Sequence, residues 1–189
     1  MIDPVGALCG SCRRGIYAFD FARAWGAFKT PLKEVIHEFK YRTHFSLARP
    51  LAAHLASVYQ AHPASLQADF IIPVPLHHIR QRERGFSQAF ELSKYLGRAI
   101  DLEVKKGWLL RVRATKVQAG LSRRERRLNL NGAFKVPRKA RLKGKSVLLI
   151  DDVFTTGATL AEAARALEQA GAPRIHGVTF ARAAIPDFT

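Results

Sequence analysis

Asp151 and Asp152 stand side by side after an apolar run, Val147-Leu148-Leu149-Ile150. They are followed, after Val153-Phe154, by Thr155-Thr156-Gly157-Ala158-Thr159. The four apolar residues, rich in branched side chains, read as a buried parallel strand that should end at the two carboxylates. The five residues after Phe154 suit an anion. Gly157 lets the backbone bend without a Cβ clash. Three threonines offer hydroxyls, and Ala158 is too small to obstruct. An Ala/Leu-rich helix follows, whose first amides lack intrahelical acceptors and whose dipole favours negative charge. The carboxylates suit another part of the same ligand, because ionised they only accept hydrogen bonds and vicinal hydroxyls donate them. A pentose carrying a 5′-phosphate satisfies both halves. An ordinary strand-to-helix turn, with Asp and Thr as turn and cap residues, leaves the paired carboxylates unexplained.

The elements that must position this segment can be read from periodicity. Leu32, Val35, Ile36 and Phe39 follow helical spacing. Pro50 starts or interrupts a second helix with Leu51, Leu55 and Val58 on one face. Asp69 to Pro75 reads as a short buried strand ended by proline. A basic loop with Arg80, Arg82 and Arg84 comes next, then a helix from about Phe86 to Leu96 burying Ala89, Leu92 and Leu96. Ala99–Val104 and Trp108–Val112 are candidate strands. Residues 113–131 form a long, polar, Arg-rich loop, of the kind that is usually functional. Ser146–Ile150 is the central strand, Leu160–Ala170 its helix, closed by Gly171 and Pro173, and Ile175–Phe180 a further strand. Strands alternating with helices imply a parallel, helix-covered sheet. Ligands sit beyond the carboxyl ends of such strands, so the basic loop after Pro75 would meet the acidic-pair loop across the crevice.

The chain has 189 residues, 48% hydrophobic and 24% charged, which suits one globular domain with a short appendage. No apolar run reaches membrane-spanning length, and the N-terminus has no signal-peptide pattern, so the expected compartment is the cytoplasm without membrane insertion. The formal charge of +16 is the unusual property. Such an excess attracts polyanions, including pyrophosphate, nucleotides and single-stranded nucleic acid. A merely solvated basic surface is the competing reading. Phe86, Trp108 and Phe134 lie near the basic runs and suit either base stacking or the core. Cys9 and Cys12 are the two cysteines, and structural zinc needs four ligands. His37 or His44 would have to help complete such a site. A zinc-site remnant, a redox dithiol and two ordinary thiols all fit the pair.

The acidic pair and its Thr-Thr-Gly-Ala-Thr loop resemble the phosphoribosyl pyrophosphate (PRPP) signature of type I phosphoribosyltransferases. Pro73-Val74-Pro75-Leu76, Arg80 and Arg84-Gly85-Phe86-Ser87-Gln88 resemble the ComF family of phosphoribosyltransferase-like proteins, which includes the GntX type and usually has Asn where Ser87 stands. Lys33, His37 and Phe39-Lys40-Tyr41 are similar to that family, as are Leu110-Arg111, Thr115, Gln118, Leu121-Ser122, Arg126, Asn129 and Ala133-Phe134. The likeness runs from about residue 15 to about residue 182.

The resemblance implies a type I phosphoribosyltransferase fold over residues 31–189. Before it stands an element of residues 1–30, a degenerate zinc-ribbon-like piece, since such proteins typically carry two cysteine pairs and this chain matches only the second. It implies that Asp151 and Asp152 hold ribose hydroxyls and Thr155, Thr156, Gly157, Ala158 and Thr159 the 5′-phosphate. Arg80 and Arg84 would face pyrophosphate, and Gln118, Arg126 and Asn129 would lie on a hood loop over the substrate. Mg²⁺ is expected with PRPP. Two functions are implied: a PRPP-dependent pentosyltransferase or sensor linked to competence and DNA uptake, or a non-catalytic basic protein engaging single-stranded DNA or a helicase partner.

Overall fold

The computed structural model describes residues 17–41, 45–113 and 129–183. Its chain order is strand β1 (Phe21–Ala27), helix α1 (Leu32–Tyr41), a 3₁₀ turn (Phe45–Leu47), α2 (Ala48–Ala61), α3 (Pro63–Leu66), β2 (Phe70–Pro73), α4 (His78–Arg84), α5 (Gln88–Ile100), β3 (Glu103–Val104), β4 (Leu110–Arg111), β5 (Phe134–Lys135), β6 (Ser146–Phe154), α6 (Ala158–Gln169) and β7 (Arg174–Arg182). Five strands form one sheet in the order β1-β7-β6-β2-β3, and every pairing in it is parallel. β4 and β5 form a separate antiparallel ribbon.

Strand alternation sorts the core into two faces. Val147 and Leu149 of β6, with Phe70 and Ile72 of β2, pack under Leu160, Ala163 and Leu167 of α6. Leu148 and Ile150, with Ile71, pack on the other face against Ile36 and Phe39 of α1, Leu51 and Leu55 of α2, and Leu92 and Leu96 of α5. Burying a leucine or isoleucine fully contributes roughly 1.5–3 kcal/mol. The continuous apolar run of β6 is therefore what a strand covered on both sides requires. This is the type I phosphoribosyltransferase arrangement expected from the sequence.

β2 is followed by β3 on one side, and the chain later returns to place β6 on its other side. The crevice beyond the carboxyl ends of β2 and β6 is thus the topological switch point. Val74 N–H donates to Ile150 O at 2.9 Å, which carries the β2–β6 ladder one residue past Pro73.

Several expectations are corrected. β6 does not end at the acids; it continues through Phe154, with Asp151 opposite Thr179 and Phe154 opposite Arg182. The basic segment after Pro75 is the helix α4, capped by the His77 side chain and closed by Gly85 at φ +75°. Its only apolar residue is Ile79, so no helical stripe announced it. Ala99 and Ile100 complete α5, leaving Glu103–Val104 as the strand, while Trp108–Val112 shrinks to Leu110–Arg111. Residues 21–27, grouped with the N-terminal element on sequence, form the edge strand beside β7. Phe86 and Phe134 are buried core residues, and Trp108 packs edge-on against Phe70 at 5.2 Å. Among the described residues, no helix is long and apolar enough to cross a membrane.

Candidate ligand site at the carboxyl ends of β2 and β6

The loop from Thr155 to Gly157 joins β6 to α6, with Ala158 and Thr159 in the first turn of the helix. Gly157 is its N-cap, at φ +75° and ψ 0°. A Cβ there would lie 2.5 Å from Phe154 Cζ and 3.0 Å from Tyr17 Cε1, so both torsion and space demand glycine. The aromatic floor is itself braced. Tyr17 stacks on Phe19 at 4.8 Å, and both rings meet Phe154 edge-on. The Tyr17 hydroxyl donates to Thr156 O at 3.0 Å. Ala158 N–H donates to Thr156 Oγ1 at 3.4 Å, and Gly157 supplies no side-chain cap. The helix therefore starts without a side-chain cap at a loop braced by Tyr17 and carrying threonine hydroxyls, and an uncapped helix N-terminus of this kind can take a phosphate.

Asp151 and Asp152 lie in the same strand just before Val153 and Phe154, where β6 is only half-buried. Asp152 N–H donates to Asp151 Oδ1 at 2.9 Å. Lys40, in the last turn of α1, holds Asp152 Oδ2 at 2.8 Å with both side chains largely shielded from water. Burial pushes the Asp151 carboxyl up to about 7, and the neighbouring Asp152 charge adds to the effect. The Asp152 N–H, Lys40 and Arg111 oppose it. Near neutral pH this carboxyl is poised between its two forms, and a hydroxyl-rich or cationic ligand favours the ionised one.

Cations converge on the same place. Burial and the nearby Arg80 charge lower the Arg111 guanidinium, while Asp151 acts against them. The buried His77 imidazole is held low first by desolvation and then by His78, Arg111 and Arg80. Arg111 lies over the Phe134 ring at 5.5 Å, so the β4–β5 ribbon is what delivers it. Arg84 Nη1–H donates to Gln88 Oε1 at 3.1 Å. Like charges pressed together in this way are the electrostatic preparation for a polyanion.

The structure thus brings together the acidic pair, the Thr155–Thr159 segment and Arg80, and adds Lys40 and Arg111. Both of these stand in segments singled out on sequence, but neither was given a role. For Arg111 the sequence held no usable signal, because its neighbours Leu110 and Val112 are exposed and only the fold brings the arginine near Asp151. Asn129 starts the return from the hood segment, and its carbonyl accepts from Arg113 Nη2 at 2.9 Å. That return is tied to α6, since Gly132 N–H donates to Glu162 Oε1 at 2.6 Å. Gln118, Arg126, Cys9, Cys12 and His44 lie outside the described residues. His37 is exposed on α1, and no group of three or more His, Cys, Asp or Glu able to hold a metal occurs among the described residues.

Comparison with known proteins agrees with this fold. The phosphoribosyl transferase domain family matches residues 81–186, more than half of the chain. Competence protein F of Haemophilus influenzae is 37% identical over 180 residues, covering 93% of this chain and 78% of its own length. The chain belongs to the competence protein F family and carries a phosphoribosyltransferase domain. DNA utilization protein YhgH of Escherichia coli K12 is 31% identical over 170 residues, covering 88% of this chain and 74% of its own. Among solved structures, the glutamine PRPP amidotransferase of B. subtilis superposes with a TM-score of 0.50 at 19% identity, over 75% of this chain and 30% of that one, which speaks for the fold alone.

Within the ComF family, the departure at Ser87 is physically mild. Ser87 is the N-cap of α5, its Oγ accepting from Phe90 N–H at 3.4 Å, and Asn caps helices equally well.

The raised Asp151 carboxyl has a stability consequence. Its folded value lies above its unfolded one, so the ligand-free fold loses stability as pH rises from about 4 through about 7. Asp151→Asn keeps the Oδ1 acceptor for Asp152 N–H and removes the titration. Its melting temperature should match that of the parent near pH 4 and exceed it near pH 8. A variant less stable than the parent at pH 8 contradicts this account.

Proposed function

We propose that this chain binds PRPP or a related ribose 5-phosphate in the crevice beyond β2 and β6, and transfers or senses its phosphoribosyl group. One observation supports this above the others. An anion-ready loop and a partly neutralised acidic pair stand at one switch point, with Lys40 and Arg111 acting on the acids and Arg80 beside Arg111. Thr155–Thr159 would take the 5′-phosphate, Asp151 and Asp152 the ribose hydroxyls, and Arg80, Arg84 and Arg111 the pyrophosphate. In the transfer case the bond from C1′ to pyrophosphate breaks, a nitrogen nucleophile forms the new bond, and pyrophosphate leaves with the electron pair. The protein contributes orientation and stabilisation of the leaving charge.

Mg²⁺ fits as a companion of the ligand. It is commonly held by one or two carboxylates with substrate phosphates supplying the rest, and the acidic pair is such a partial set. When bound it would neutralise pyrophosphate charge.

Relatives named for competence and for DNA utilization, together with the +16 charge, favour a second role in handling DNA, with single-stranded DNA or a helicase as partner. If that role holds, oligonucleotide affinity falls steeply with salt, with a log–log slope of about −0.7 per phosphate neutralised. A flat salt response excludes it.

For the sugar-phosphate site, PRPP with Mg²⁺ should raise the melting temperature, by an amount equivalent to about 2.7 kcal/mol at a hundred times Kd. The Asp151→Asn, Asp152→Asn double variant should lose the shift. An unshifted parent, or an undiminished shift in the double variant, defeats the proposal. Pyrophosphate release across purine, pyrimidine and amine acceptors then separates transfer from sensing.

A further inference from the structure

We propose that Gln88 is a positioning residue that couples the arginine facing pyrophosphate to the lysine on the ribose acid, so that the two ends of the site bind ligand as one unit. This rests on the proposed function above.

Gln88 is only 2% exposed, so water does not compete for its amide. Its Oε1 accepts from Arg84 Nη1–H at 3.1 Å, and its Nε2–H donates to Lys40 O at 3.3 Å. Lys40 Nζ in turn reaches Asp152 Oδ2 at 2.8 Å. The Gln88 amide therefore ties Arg84 to the backbone of Lys40, and the Lys40 side chain carries that position on to Asp152. The two ends need one acceptor and one donor, and the amide supplies both.

The surrounding packing fixes both ends of this tie. Gly85, at φ +75°, closes α4 and turns the chain, placing Arg84 beside the start of α5. Phe86, in that turn, is buried edge-on against Phe39 at 5.6 Å and also meets Phe45 at 4.6 Å. Phe39 is the residue before Lys40, so the turn and the end of α1 move together. The Arg84-Gly85-Phe86-Ser87-Gln88 segment and the Phe39-Lys40 pair, far apart in sequence, are the two halves of this clamp. The alternative is a purely structural one: Gln88 satisfies a carbonyl at the end of α1, which has no helical partner. That role costs folding stability when removed but gives no coupling in ligand affinity.

A thermodynamic cycle separates the two. PRPP affinity with Mg²⁺ is measured by calorimetry on the full chain for Arg84→Gln, Lys40→Met and their combination. The three measurements are then repeated in a Gln88→Leu background. Coupling predicts that the combined loss differs from the product of the single losses by about fivefold or more with Gln88 present, and equals that product with Gln88→Leu. Gln88→Glu, which can accept from Arg84 but cannot donate to Lys40 O, should also abolish the coupling; it serves in place of Gln88→Leu if that variant fails to fold. Independent losses in the Gln88 background, with PRPP bound by the parent, overturn the coupling alone. A parent that does not bind PRPP overturns the underlying function and this inference with it.

Discussion

Two adjacent, half-buried carboxylates in the last part of a central parallel strand are the constraint around which the rest of this molecule is arranged. Taking an ionised carboxylate out of water is costly unless it is paired and hydrogen-bonded. Asp152 meets that demand with Lys40 at 2.8 Å. Asp151 meets it only in part. It accepts one backbone N–H and feels two cations at a distance, and its carboxyl is consequently pushed up to about 7. A core-forming sequence has no reason to keep such a pair. A ligand that supplies donors or a cation to both oxygen sets does give one.

The compensation explains features that are otherwise unconnected. α1 has to end against β6, so that its last turn places Lys40 over Asp152, and Phe39 on Phe86 holds it there. The short β4–β5 ribbon exists beside the main sheet and carries Arg111 toward Asp151 and Arg80. The loop after Phe154 is stiffened by stacked aromatics from the chain's N-terminal side, including the Tyr17 hydroxyl on Thr156. A rigid phosphate cradle loses less conformational freedom on binding, which favours affinity.

Local chemistry was legible in the sequence, and tertiary delivery was not. Val147 to Thr159 could be read as strand, acids, loop and helix because each step is set by neighbours in sequence: branched apolar residues, one glycine, and an Ala/Leu-rich stretch. Leu32 to Phe39 and Ala89 to Leu96 were legible for the same reason, since their helical stripes face one core. β1 was not, because Phe21-Ala22-Arg23-Ala24-Trp25-Gly26-Ala27 is a half-exposed edge strand with no clean alternation. Nor was α4, which is held by its His77 cap and Gly85 rather than by an apolar stripe. The end of β6 was placed too early because polar residues normally mark an exit from the core. Here the neighbouring β7 keeps pairing past them. Lys40 and Arg111 were visible as residues, yet their roles depend on contacts across more than a hundred positions and across the β4–β5 ribbon.

The central claim is that the crevice beyond β2 and β6 is a site for a phosphorylated pentose, with the phosphate on the loop and the hydroxyls on the acids. A crystal structure of the chain grown with PRPP and Mg²⁺ tests it most directly. The account predicts the 5′-phosphate against the amides and hydroxyls of Thr155–Thr159, the ribose hydroxyls on Asp151 and Asp152, and pyrophosphate toward Arg80, Arg84 and Arg111. PRPP bound elsewhere, or bound in the crevice with the acidic pair untouched, would contradict it.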